Sequence, residues 1–159
     1  MEISTQGWTT LTYNELLIEA DKLGVIVKEF NLKTVDGKCY GNRIAIDSSL
    51  SEGEKVCVLS EELSHYRLTV GNISDQHNLN NRKQELIARK AVYEKLIHPE
   101  AIIDAILEGA YNTDDLSERL CVPHHFLIES VEHYKRKYGI YYVGKTHLLI
   151  FDTLNVISF

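Results

Sequence analysis

No cationic stretch followed by an apolar run opens this chain, and no apolar segment approaches the eighteen or so residues that a membrane span requires. The reading is a cytoplasmic protein with no membrane partner. Cysteine is scarce: Cys39, Cys57 and Cys121 are far apart and odd in number, which excludes a disulfide framework or a C-x-x-C ribbon. They read as reduced thiols. Positive charge is also in short supply, with 17 Lys and Arg against 23 Asp and Glu and a net charge of -6, which argues against a surface built mainly for nucleic acid. Internal repeats and low-complexity tracts are absent. What is present, 44% hydrophobic and 25% charged residues in 159, is an ordinary globular composition, enough for one compact domain or a domain with a small helical appendage.

Local signals divide the chain. Thr12 with Glu15 three residues later forms a capping box ahead of a helix that Gly24 ends. The β-branched run Val25-Ile26-Val27 starts a strand, and after the turn signal Asp36-Gly37 a second strand is expected over residues 39–46; the two should pair as a small antiparallel sheet. Ser51 and Glu54 cap a helix expected to reach Val70, where Gly71-Asn72 ends it. A polar loop, residues 74–81, leads to a helix that stops before Pro99.

Within the helix that follows Ser51 lies Glu61-Glu62-Leu63-Ser64-His65-Tyr66. A zinc peptidase helix of the H-E-x-x-H kind sets two ligands four residues apart on one face, with a glutamate beside the first as general base. Here Glu61 and His65 take the ligand spacing and Glu62 the base position. Glutamate is a legitimate zinc ligand. Tyr66 is placed to reach a cleft and donate to a substrate carbonyl or oxyanion. On spacing alone, however, a solvated helix face with a packed histidine is the commoner outcome.

Context adds to the motif. Gly41-Asn42-Arg43-Ile44-Ala45-Ile46-Asp47, a polar gap, the Glu61-to-Tyr66 helix and then a helix beginning at Gln84-Glu85-Leu86-Ile87 together resemble the ImmA/IrrE family of metallo-endopeptidases carried by phages and mobile elements. The resemblance covers residues 13–97. It implies that Glu85 is the third metal ligand beside Glu61 and His65, that the cofactor is a divalent metal, and that the partner is a cytosolic helix-turn-helix repressor. Two departures stand out: Glu61 replaces the usual first histidine, and Ser64 the usual glycine. Two carboxylates and one imidazole make a harder ligand set than two histidines, so zinc is expected with manganese and iron as competitors, or an empty site. His77 in the polar loop is an alternative ligand, although a solvated loop histidine is the more frequent case.

The last third reads as a different module. Residues 100–107 are apolar-periodic, Thr113 caps a short helix to Leu120, Pro123 opens a helix to Tyr138, and a hairpin turns near Gly144-Lys145. The two central helices resemble a helix-turn-helix, with His133-Tyr134-Lys135-Arg136-Lys137-Tyr138 and Lys145 as electrostatic support. The expected architecture is therefore α+β. Residues 1–98 form a minimal zincin-like domain, a small antiparallel sheet packed on helices, and residues 99–159 a helical region with a terminal hairpin. Three functions follow in order: a metal-dependent endopeptidase acting on a repressor, an inactive peptidase-derived module that binds one, and a DNA-binding regulator.

Overall fold

The computed structural model describes residues 10–70 and 80–159, which hold six helices and six strands. The chain divides into two compact units, the first Leu11–Val92 and the second running from Tyr93 to Phe159. The dividing point falls inside one helix, Asn80–Leu96. Among the described residues no helix is long and apolar enough to cross a membrane.

The first unit opens with α1, Tyr13–Lys22, on the capping box that the sequence announces: Thr12 accepts from the Glu15 N–H and the Glu15 carboxylate accepts from the Thr12 N–H at 2.7 Å. Leu16 and Ala20 turn one face of α1 inward. Strands β1 (Ile26–Phe30), β2 (Gly37–Tyr40) and β3 (Arg43–Asp47) follow. The α+β class is as expected, but the sheet differs from the simple antiparallel pair. The segment read as one strand is two, because Gly41-Asn42 turns the chain between Tyr40 and Arg43, with Gly41 at φ 58°. Glycine at the first position of a two-residue hairpin turn adopts that angle without a side-chain clash. Strand β3 then lies in the middle, antiparallel to β2 and parallel to β1.

Alternation along these strands separates two faces. Ile44 and Ile46 are buried, while Ile26, Lys28, Phe30, Lys38, Tyr40 and Arg43 are exposed. Helix α2, Glu52–Val70, is capped by the reciprocal pair Ser51 and Glu54. Val56, Leu59 and Leu63 are buried at helical spacing and give α2 a core side. Its approach to β2 is close. A Cβ on Gly37 would lie 2.4 Å from Cγ1 of Val58, so any larger residue there forces Val58 or the strand to shift.

Helix α3, Asn80–Leu96, passes into the second unit, where α4 (Pro99–Leu107), α5 (Thr113–Arg119) and α6 (His124–Tyr138) surround Ile102, Leu116, Leu127 and Tyr134. The cap of α5 is Asn112, whose side chain accepts from the Asp115 N–H at 2.8 Å, and not Thr113. The expected hairpin is present as β4 (Tyr141–Val143) and β5 (His147–Ile150), and β6 (Asn155–Ser158) extends it to a three-stranded antiparallel meander. The α5–α6 pair has helix-turn-helix order, yet two side chains of its basic end are paired with carboxylates. Lys135 lies 2.7 Å from the Asp152 carboxylate, and Lys137 lies 2.7 Å from Glu94. Such ion pairs reduce the charge left for phosphates.

Candidate active site

Helix α2 carries Glu61, Glu62, His65 and Tyr66, and all four are half-buried. The geometry separates them into two overlapping groups. Glu62, His65 and Tyr66 line a cleft of about 710 Å³, whose other wall includes Lys38, Cys39 and Asn42 of the β2–β3 hairpin. Glu61, His65 and Glu85 line a pocket of about 80 Å³ together with Ala88 and Arg89 of α3. His65 belongs to both. The i, i+4 spacing of Glu61 and His65 and the i, i+3 spacing of Glu62 and His65 explain how one histidine joins both groups.

Glu62 is the electrostatically unusual member. Burial pushes its carboxyl above the ordinary carboxylate range; His65, a hydrogen bond from the Cys39 backbone N–H and the charge of Lys38 oppose that rise without cancelling it. A carboxylate held partly out of water next to a cleft suits proton transfer better than it suits stability. Burial, and next the Glu62 charge, push the Cys39 thiol up, so it stays protonated and is a poor nucleophile. Cys57, one turn before Glu61, is simply buried.

Lys38, Cys39 and Asn42 were not anticipated as cleft residues. They come from a strand edge some twenty residues upstream of the motif, and only the folded hairpin brings them to α2. The Gly-Asn turn was the available signal. Asn42 holds the hairpin in place by donating from Nδ2 to the Gly24 carbonyl at 3.1 Å. His77 lies outside the described residues.

The three side chains expected to hold a metal share a pocket but do not assemble into a ligand set. Among the described residues no group of three His, Cys, Asp or Glu is placed to hold an ion. A cation is already nearby: Nε of Arg89 lies 3.9 Å from Oε1 of Glu61. The described residues as arranged do not fit the metal. The Glu61–Arg89 pair joins α3 to α2. Zinc or manganese is expected to raise the melting temperature of Arg89→Ala more than that of the wild type, since the variant removes the cation that competes at Glu61. A tenfold gain in affinity corresponds to about 1.4 kcal/mol under excess metal. Equal shifts in calorimetry would show that Arg89 does not oppose metal binding.

A small sheet packed against a helix that bears Glu61-Glu62-x-x-His65 beside a cleft defines a zincin-like domain of the metallopeptidase class. The model of the IrrE N-terminal-like domain, the M78 peptidases, matches residues 19–135, and the chain belongs to that family. The family implies a divalent metal, which makes the misfit at Glu61 and Arg89 a property of this chain. No curated protein matches it.

Proposed function

We propose that this protein is an M78-type endopeptidase that receives an extended segment of a cytoplasmic helix-turn-helix repressor beside β2 and uses Glu62 for proton transfer. The placement of Glu62 carries this reading. A protein that only docked would have no use for a half-buried carboxyl raised by desolvation, whereas a hydrolase needs such a group to take a proton from water and return it to the leaving amine. Tyr66, on the same wall, is positioned to donate to the carbonyl under attack. Strand β2 is an edge of the sheet, so its outer backbone groups are suited to pair with an extended chain.

A second reading is favoured by the Glu61–Arg89 contact and by the lack of a three-ligand group among the described residues. Here the same cleft seats the repressor without cutting it. Incubating the protein with a purified repressor of the same mobile element, with and without zinc or manganese, separates the two. Fragments in the mass spectrum support cleavage, and a stable complex without fragments supports docking. With neither, the repressor is not the partner.

A further inference from the structure

The outer face of the β1–β3–β2 sheet, opposite the face that packs on α2, carries a feature that the cleft chemistry does not use. A shallow cavity of about 470 Å³ lies over it, lined by Lys28, Lys38 and Arg43 and by the apolar and aromatic side chains of Ile26, Phe30 and Tyr40. Among the described residues no acidic one lines it. In a chain of net charge -6, three cations with no acid among the described lining residues are a local reversal of sign. The register explains the convergence. Lys28 and Lys38 both stand beside Ala45, one on each flanking strand, and Arg43 is the next residue of β3 on the same face. Their Cα atoms are therefore about 10 Å apart across the sheet, within reach of one anionic group over the small Ala45. Around these charges Tyr40 is 85% exposed, and Ile26 and Phe30 are each 50% exposed.

We propose that this sheet face docks an acidic segment of a partner protein, one in which Asp or Glu side chains alternate with large apolar ones. The carboxylates would sit over Lys28, Lys38 and Arg43, with the fork of Arg43 suited to a bidentate contact, while the apolar residues cover Ile26, Phe30 and Tyr40. Charge complementarity selects this occupant. A nucleic acid would also meet cations and aromatics, but three cations neutralise only a few phosphates, and the remaining surface of an acidic chain repels a polyanion. A peptide with a few carboxylates has less to lose to that field and more apolar surface to bury. Lys38 also lines the cleft, so the docking face and the cleft share the β2 edge.

Fluorescence anisotropy with labelled synthetic probes tests the proposal on the full chain without any cleavage. The probes are a 14-residue peptide alternating Glu with Leu and Phe, its Gln counterpart, and a 14-nucleotide single strand. The acidic peptide is expected to bind at least tenfold more tightly than the Gln peptide and than the oligonucleotide. Lys28→Glu combined with Arg43→Glu should remove that preference, and Tyr40→Ala should weaken binding of both peptides, with far-UV circular dichroism unchanged in each variant. Both changes sit on exposed positions and leave Lys38 in the cleft untouched. The proposal is overturned if the Gln peptide binds as well, if the charge-reversed variant binds the acidic peptide like the wild type, or if the oligonucleotide binds more tightly. A wild-type dimer in sedimentation that the charge-reversed variant abolishes would assign the face to a second copy of this chain instead.

Discussion

Replacing Glu62 with Gln is expected to stop peptide-bond cleavage and, at the same time, to raise the melting temperature near neutral pH. The first effect follows from the loss of the proton acceptor, which lowers turnover by roughly a hundredfold or more. The second follows from linkage. Burial raises the Glu62 carboxyl above the ordinary carboxylate range, so the folded state binds its proton more tightly than the unfolded chain does. A group shifted in that direction gives its full stability below the unfolded pKa and loses it as pH rises through the folded pKa. At neutral pH the ionised carboxylate therefore opposes folding, and a neutral amide of the same shape does not. The gain in melting temperature should shrink toward zero as pH falls below the ordinary carboxylate range, where Glu62 is protonated in both states. Thermal melts across pH and fragment analysis by mass spectrometry check the two halves separately. A variant that loses activity and stability together would mean that Glu62 is held by structural contacts and not kept for chemistry.

The second large effect is expected at Gly37. Its would-be Cβ meets Cγ1 of Val58 at 2.4 Å, Cγ of Glu62 at 3.4 Å and Cδ1 of Ile46 at 3.4 Å, so a methyl group there forces β2 away from α2. Overpacking of this kind costs about 1–3 kcal/mol. The displacement would also stretch the Cys39 N–H contact to Glu62, which joins the strand edge to the cleft. Gly37→Ala should accordingly lower both stability and cleavage. Val58→Ala removes the atom in the way, and although it leaves a cavity of its own, the double variant should be more stable than the sum of the single losses predicts. Additive losses in denaturant melts would place the cost of Gly37→Ala somewhere other than Val58.

Both predictions depend on contacts of different legibility in the sequence. The caps at Thr12 and Ser51 are local: each needs only a hydroxyl and a carboxylate three residues on, and both form as read. The extent of α2, Glu52–Val70, was legible for the same reason, since its start is set by the Ser51 cap. The order of the first sheet was not. Parallel pairing of β1 with β3 joins strands that are not consecutive in the chain, a tertiary choice that leaves no local pattern. Strand β6 escaped notice because Asn155-Val156-Ile157-Ser158 is short and mostly exposed, and takes its pairing from β5. The site divides likewise. Glu62 followed from a motif, and Glu85 was implied by resemblance and shares a pocket with Glu61 and His65. Arg89 beside Glu61 required two helices to be brought together, which spacing along one of them does not reveal.

The proton-transfer role of Glu62 makes one demand that needs neither partner nor metal. Carbon-13 detection of glutamate side-chain carboxyls during a pH titration, with Glu62→Gln used to assign its signal, reads the ionisation of this residue directly. Glu62 is expected to titrate above the ordinary glutamate range, with its burial as the cause. Titration in or below that range would contradict this role, because a carboxylate stabilised in its charged form would be an ordinary polar contact and not a base held ready in the cleft.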